Sequence, residues 1–177
     1  DSINPKWAEQ PYQDVIEAAE WFAAQPWIDR ERMVAGGGSY GGYLTGVILG
    51  REHPFKALLA HAAVYNLYSQ YAADFSAEPP RFGGFWERDN RAVLERNSPH
   101  LDAAAFKTPT LVVHGQADLR VPVNHGLELY HTLLAKGVPS RYVYYPNENH
   151  WVLKPQNSVF WYQQVKRWFD EHASPQE

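Results

Sequence analysis

The sequence lacks cysteine, any long apolar run and any cluster of basic residues. Without cysteine there is no disulfide framework and no thiolate metal site, which is compatible with the cytoplasm and does not exclude the periplasm. The longest apolar stretches, such as residues 43–49, are far shorter than the roughly 20 residues that cross a bilayer, so no membrane partner is predicted. The 16 Lys and Arg against 20 Asp and Glu give a net charge of −4, which argues against nucleic acid as a partner.

Metal ligands at a recognisable spacing are also missing. No HExxH or comparable pattern occurs, and His125 and His131 lie six positions apart on a predicted helix, where they cannot bind one ion. We therefore predict no metal site and no cofactor. The chain begins with polar, loop-like residues rather than Met, so residues 1–177 are expected to form one domain that is a piece of a longer polypeptide.

Hydrophobic spacing predicts helices that alternate with strands. Helices are predicted at residues 14–24, 43–49, 91–96, 124–136 and from 157 onward. Strands are predicted at residues 32–36, 57–62, 110–114 and 141–145. Gly137 is the expected C-cap of one helix and Asn157 the expected N-cap of the last, while residues 77–97 are typical of a loop or lid. The alternation predicts an α/β fold with a mostly parallel sheet flanked by helices.

A glycine-rich segment carries the first chemical motif. Gly37-Gly38-Ser39-Tyr40-Gly41 matches G-x-S-x-G between a predicted strand and a predicted helix. This is the context of a nucleophile elbow, where small residues allow a strained turn that exposes the serine. The helix that follows points its positive end at the site, and the amide of Tyr40 becomes one donor of an oxyanion hole. The alternative is an ordinary glycine turn or a phosphate cradle.

A serine nucleophile needs a base, and the base needs an acid that orients it. Asp118 follows the third predicted strand and His150 follows the fourth, so the chain order is Ser, Asp, His. That order, with each residue just beyond a strand end, is typical of α/β-hydrolases and predicts a triad of Ser39, Asp118 and His150. Taken separately, Asp118 has the alternative of a turn residue and His150 that of a surface histidine.

The sequence around these residues resembles a known family. The segments Gly-Gly-Gly-Ser39-Tyr-Gly-Gly-Tyr43, His114-Gly-Gln-Ala-Asp118-Leu-Arg120-Val-Pro122 and Glu148-Asn-His150 resemble the catalytic domain of prolyl oligopeptidase family serine peptidases, particularly the dipeptidyl-peptidase and acylaminoacyl-peptidase branches. The resemblance extends over residues 11–172. It implies the C-terminal portion of an α/β-hydrolase domain that hydrolyses short peptides through an acyl-enzyme. By that resemblance Ser39 is the nucleophile, Asp118 orients the base, and His150 is the general base and then the general acid.

The resemblance also implies residues that contact the substrate. Arg120, shortly after the acid, corresponds to a position where family members carry a substrate-contacting Arg or Asn, and the alternative is a structural salt bridge. Tyr40, Tyr65 and Tyr68 match the aromatic wall of the pocket for the residue on the amino side of the cleaved bond. The alternative for Tyr65 and Tyr68 is core packing, which aromatic residues at helical spacing usually serve.

Some parts of the family pattern are missing. The early strands, the upstream tyrosine that supplies the second oxyanion donor and the N-terminal β-propeller do not precede Ser39 in this sequence. The resemblance therefore implies an upstream segment of the same protein as a partner, pairing beside Val34 and Ala35. If that strand edge is left exposed, a homo-oligomer is expected. Two other hypotheses stay open, namely a carboxylesterase and a unit that is inactive without the upstream segment.

Overall fold

The computed structural model describes residue 3 and residues 6–75 and 82–174. Its strands are β1 Val34–Gly38, β2 Ala57–His61, β3 Thr110–Gly115 and β4 Ser140–Tyr145. Its helices are α1 Glu9–Ala23, α2 Tyr40–Leu49, α3 Arg88–Arg96, α4 Asn124–Ala135 and α5 Pro155–Ala173. Short 3-10 segments lie at Arg30–Arg32, Ser69–Ala72 and Pro99–Ala105. Part of the predicted loop at 77–97 lies outside the described residues.

The described strands form one parallel four-stranded sheet in the order β1-β2-β3-β4. Val34 pairs with Ala57, and Thr110 pairs with Leu58 on one side and Ser140 on the other. Because neighbouring strands run parallel, their carboxyl ends lie along the same edge of the sheet, where such folds place their ligands. The predicted parallel sheet flanked by helices is confirmed.

Helices cover both faces of this sheet. On one face Leu58 belongs to a cluster with Ile48 of α2 and Leu129 of α4. On the other face Leu111 belongs to a cluster with Trp168 of α5. β2 and β3 are consequently buried at almost every position, which explains why both are continuous apolar runs rather than alternating ones.

β1 lies at the edge of the described sheet and is less buried than β2 and β3. A groove of about 450 Å³ follows its outer side, between the strand and α1, and includes Phe22, Met33 and Val34 in its walls. We call it the β1 edge groove. Phe22 is 44% exposed and the nearby Trp27 is 66% exposed. Contiguous apolar surface beside a strand edge is what another chain segment can cover by strand pairing.

Four helices begin earlier than predicted, and α1 and α3 start at Glu9 and Arg88 rather than at residues 14 and 91. α2 begins at Tyr40, directly after Ser39, rather than at residue 43. The prediction that Asn157 caps the last helix is wrong, because α5 begins at Pro155, whose fixed φ suits a first helical turn. The amide of Asn157 instead donates to Glu148 Oε1 at 2.6 Å. Gly137, with φ +68°, follows the end of α4 as predicted.

The buried His125 and the partly buried His61 make the stability of this fold depend on pH. Burial lowers the pKa of His125 to about 3 and that of His61 to about 4, so both are neutral in the folded chain. An unfolded chain protonates its histidines near pH 6.5. Between about pH 6.5 and 4.5 the unfolded chain therefore binds more protons, and the free energy of unfolding is expected to fall as the pH is lowered. Each histidine contributes a slope of up to about 1.4 kcal/mol per pH unit.

Urea unfolding at a series of pH values, at low protein concentration, measures that slope. His125→Asn is expected to reduce it, because the variant removes one group that gains a proton on unfolding. His131→Asn is the matched control at an exposed position of α4 and is expected to keep the slope. A free energy of unfolding that stays constant between pH 6.5 and 4.5 would contradict the prediction.

Candidate active site

Ser39 occupies a strained turn between β1 and α2. Its φ of 59° lies in the left-handed region, which a non-glycine residue rarely adopts. The Ser39 amide donates to the carbonyl of His61 at 2.9 Å, which ties the turn to the end of β2. A Cβ on Gly37 would lie 2.4 Å from the carbonyl carbon of Gly41, so glycine is required where the chain returns on itself. This is the sharp strand-to-helix turn that the G-x-S-x-G motif predicts.

Asp118 is buried and hydrogen-bonded through both carboxylate oxygens. Oδ1 accepts the backbone amides of Arg120 and Val121 at 2.9 and 2.8 Å. Oδ2 lies 2.8 Å from His150 Nδ1 and 3.5 Å from His114 Nε2. Burial raises the pKa of the Asp118 carboxyl. Hydrogen bonds from His114, His150 and Val121 lower it by more than burial raises it, so the pKa lies well below its ordinary value. Asp118 is therefore a buried carboxylate in hydrogen-bond contact with the imidazole of His150.

The loop that carries His150 is held by Glu148. The buried Glu148 carboxylate accepts the backbone amides of Leu153 at 3.3 Å and Lys154 at 3.1 Å, and also the side-chain amide of Asn157. Burial opposes the charge, but these hydrogen bonds outweigh it and lower the pKa of Glu148. Glu148 lies before His150 and the amides that it accepts lie after it, so this one carboxylate joins the two ends of the loop. The sequence motif contains Glu148, but only the fold shows what its side chain binds.

Glu148→Gln is expected to lower kcat about 100-fold, because a shift of the loop by about 1 Å misplaces the imidazole. The Gln amide would present its NH2 group to a backbone N–H where a carboxylate oxygen now accepts. Glu148 does not line the cavity that contains Ser39, so KM is expected to stay within about twofold. Glu171→Gln, on the surface of α5, is the matched control. Steady-state kinetics that show a loss in KM alone would contradict this role.

A cavity of about 470 Å³ opens at the carboxyl edge of the sheet. Its lining residues are Ser39, Asp74, Ala117, Leu119, Arg120, Asn149, His150 and Trp151. The structure therefore brings Ser39, His150 and Arg120 to one cavity, with Asp118 buried behind His150. The side chain of His150 is 12% exposed and that of Asp118 is 0% exposed, so only the imidazole reaches the cavity.

Arg120 forms the salt bridge given as its alternative role, and it also lies at the cavity wall, where contact with a substrate stays a prediction. Its side chain lines the cavity, and Arg120 Nε donates to Asp74 Oδ1 at 2.7 Å. The Arg120 side chain is 53% exposed, so this ion pair contributes little to stability and leaves the guanidinium at the cavity wall. Asp74 was missed by the sequence interpretation, since no spacing along the chain connects it to Arg120.

The predicted aromatic wall is not assembled as expected. Tyr65 is 1% exposed and packs in the core beside Phe106, so the alternative of core packing describes it and it does not line the cavity. Tyr68 is also outside the lining residues, and its hydroxyl donates to Glu95 Oε1 at 3.2 Å. Tyr40 begins α2 next to Ser39, and its hydroxyl donates to the backbone carbonyl of Trp7.

Within the described residues, no group of three or more His, Cys, Asp or Glu side chains is placed to hold a metal ion. Among the helices that the structure describes, none has the length and apolar character needed to cross a bilayer.

The sequence is similar to one protein family and to individual curated proteins. The model of the prolyl oligopeptidase family, Peptidase_S9, matches residues 1–176. A probable dipeptidyl-peptidase 5 of Emericella nidulans is 37% identical over 181 residues, covering 98% of this chain and 25% of the relative. Dipeptidyl-peptidase 5 of Schizosaccharomyces pombe is 38% identical over 178 residues, covering 95% of this chain and 25% of the relative. The chain thus spans about a quarter of the length of the curated relatives it matches.

Two solved structures have the same fold as this chain. Acylaminoacyl peptidase of Pyrococcus horikoshii superposes with a TM-score of 0.88 at 24% identity, over 99% of this chain and 30% of that structure. Dipeptidyl peptidase 4 of Porphyromonas gingivalis superposes with a TM-score of 0.80 at 23% identity, over 91% of this chain and 22% of that structure.

Proposed function

Because this chain belongs to the prolyl oligopeptidase family, we propose that it is the part of a serine peptidase that carries the catalytic residues. Ser39 is the nucleophile, His150 the general base and then acid, and Asp118 the residue that orients His150. The observation that carries the proposal is the 2.8 Å hydrogen bond from His150 to the buried Asp118 carboxylate, with the same imidazole facing the cavity of Ser39.

The geometry supports an acyl-enzyme mechanism. With its Nδ1–H bonded to Asp118, His150 has an unprotonated Nε2 that accepts the hydroxyl proton of Ser39 as Oγ attacks the substrate carbonyl. The tetrahedral intermediate then expels the amine, which takes the proton from His150 as the C–N bond breaks. Water attacks the resulting ester, gives its proton to His150, and the acid product leaves as Ser39 recovers its hydrogen.

The oxyanion is stabilised where α2 begins. We propose the backbone amide of Tyr40 as one donor, because it is the first residue of α2 and directly follows Ser39. The positive end of the helix dipole adds to that donor. The second donor comes from the upstream segment. Loss of one such donor costs about 100- to 1000-fold in turnover, so that segment is required for full activity.

The substrate we propose is a short peptide. The similar proteins are named as dipeptidyl and acylaminoacyl peptidases, and the cavity offers Arg120 as a cation for a carbonyl or carboxylate of the bound peptide. Like Tyr65 and Tyr68, Tyr40 is not among the residues that line this cavity, and its ring packs against Trp7.

Two measurements on the complete polypeptide test this proposal. A fluorophosphonate probe is expected to label Ser39, and dipeptidyl or acylaminoacyl p-nitroanilides are expected to be hydrolysed. Cleavage of p-nitrophenyl esters without cleavage of any anilide would favour a carboxylesterase. Failure of the probe to label Ser39 in the complete polypeptide would overturn the proposal.

We also propose the partner that covers the β1 edge groove, namely an upstream segment of the same protein with early strands and a β-propeller. The support is the exposed edge of β1 and the span of only about a quarter of the relatives' length. One upstream strand paired with Val34 and Ala35 would cover the apolar walls of the groove.

Residues 1–177 expressed alone are therefore expected to form oligomers or aggregates, because an uncovered apolar strand edge pairs with other chains. Size-exclusion chromatography with light scattering measures this directly. Phe22→Glu, which places a charge in the β1 edge groove, is expected to reduce the association, whereas Leu134→Glu on the exposed side of α4 is the control. A monodisperse monomer that unfolds cooperatively would contradict the prediction.

A further inference from the structure

We propose that a second cavity, behind Trp151, binds the apolar side chain of the substrate residue on the leaving side of the cleaved bond. This inference rests on the proposed function. The cavity has a volume of about 340 Å³, and its walls include His61, Trp151, Leu153, Trp161 and Tyr162. We call it the leaving-side cavity.

Trp151 connects the leaving-side cavity to the cavity of Ser39, since it lines both. Its ring meets the ring of His150 edge-on, with 5.3 Å between the ring centroids. The Trp151 amide donates to Asn149 Oδ1 at 2.9 Å, a short turn that fixes Trp151 relative to His150. The two cavities are therefore neighbours separated by one aromatic side chain.

The reaction places the substrate residue that carries the leaving nitrogen next to Trp151. Breakage of the C–N bond requires His150 Nε2 to donate its proton to the leaving nitrogen, within hydrogen-bond distance. Nδ1 of His150 faces the buried Asp118, so Nε2 lies on the opposite side of the ring, toward the cavity of Ser39. The residue that carries the leaving nitrogen consequently sits beside His150, and its side chain lies next to Trp151.

The walls of the leaving-side cavity suit an apolar side chain. Trp151, Leu153 and Tyr162 are 63%, 69% and 70% exposed, which is a large apolar surface around one opening. Trp161 donates its indole N–H to His61 Nδ1 at 3.1 Å, and burial lowers the pKa of His61 to about 4. His61 is thus uncharged near neutral pH. A leucine or phenylalanine side chain gains contact here, whereas a glycine does not.

Partitioning of the acyl-enzyme tests the inference, because an added amine must enter by the leaving side. The complete polypeptide is acylated with a dipeptidyl or acylaminoacyl p-nitrophenyl ester, and leucinamide or glycinamide then competes with water. The transfer product and the hydrolysed acid are quantified together. We expect leucinamide to capture the acyl group about 10-fold more efficiently than glycinamide, the lower end of what burying a leucine side chain provides.

Trp151→Ala is expected to reduce that preference to about twofold or less. Tyr162→Ala, at the far wall, is expected to reduce it partly and serves as a second variant if Trp151→Ala does not fold. Trp86→Ala, an exposed tryptophan outside both cavities, is the matched control and is expected to keep the preference. The transfer-to-hydrolysis ratio is independent of the total amount of active enzyme.

The outcomes separate the two proposals. Equal capture of leucinamide and glycinamide by the wild-type acyl-enzyme overturns the proposed role of the leaving-side cavity. The proposed function is unaffected by that result. An unchanged preference in both Trp151→Ala and Tyr162→Ala also overturns it. Absence of any acyl-enzyme, together with no labelling of Ser39, overturns the proposed function and this inference with it.

Discussion

Ser39→Ala is expected to abolish peptide hydrolysis by the complete polypeptide while leaving its fold intact. The members of a catalytic triad act as a unit, so loss of the nucleophile costs on the order of a millionfold in kcat. Alanine retains the Cβ of serine and so keeps the backbone of the turn, with its φ of 59°, under the same strain. The variant therefore removes the hydroxyl and little else.

The measurements are kcat for a p-nitroanilide, labelling by a fluorophosphonate, and circular dichroism with thermal unfolding. Ser174→Ala is a matched control, because Ser174 is exposed directly after α5 and lines neither the cavity of Ser39 nor the leaving-side cavity. Retention of more than about a tenth of wild-type turnover by Ser39→Ala is incompatible with the triad.

Asp118→Asn is expected to lower kcat about 10⁴-fold with little change in KM. The backbone amides of Arg120 and Val121 donate to Oδ1, so an asparagine must keep its carbonyl oxygen at that position. Its NH2 group then replaces Oδ2 and faces Nδ1 of His150. Nδ1 becomes the acceptor, the imidazole proton moves to Nε2, and His150 can no longer accept the proton of Ser39.

Steady-state kinetics near neutral pH measure this loss, and a fluorophosphonate labels Ser39 in the variant correspondingly slowly. Asp170→Asn is the matched control, because Asp170 pairs with Lys166 on the exposed side of α5. Asp118→Ala is expected to be less stable than Asp118→Asn, since it leaves the buried amide of Val121 without its acceptor. A kcat for Asp118→Asn within about tenfold of wild type argues against the orienting role of Asp118.

Local spacing accounts for most of the elements that were predicted correctly. The run at 110–114 is apolar at nearly every position and became the central strand β3, because a parallel strand covered on both faces has no polar side. Gly137 was recognised as a helix end because only glycine readily adopts its positive φ. The N-cap assignment of Asn157 failed because α5 already begins at Pro155, and the Asn157 side-chain amide instead donates to Glu148, nine residues away.

Residues whose roles depend on tertiary contacts are harder to predict from the local sequence pattern. An aromatic residue such as Tyr65 suits either a pocket wall or the core. Its burial beside Phe106 shows that it belongs to the core. Asp74 reaches Arg120 across 46 positions, and no pattern of residue types encodes such a pairing. Trp151 stands next to His150 in the chain, yet its place between two cavities depends on how the loop folds over α5.

The sequence by itself determined the fold class, the elbow at Ser39 and the order Ser, Asp, His, because strand periodicity, glycine requirements and motif order are properties of neighbouring residues. Only the tertiary structure decided which groups bind each other at the site. It placed the His150 loop against Glu148, put His114 beside the Asp118 carboxylate, and left β1 at the edge of the described sheet. These are contacts between distant segments, set by packing, and local sequence does not specify them.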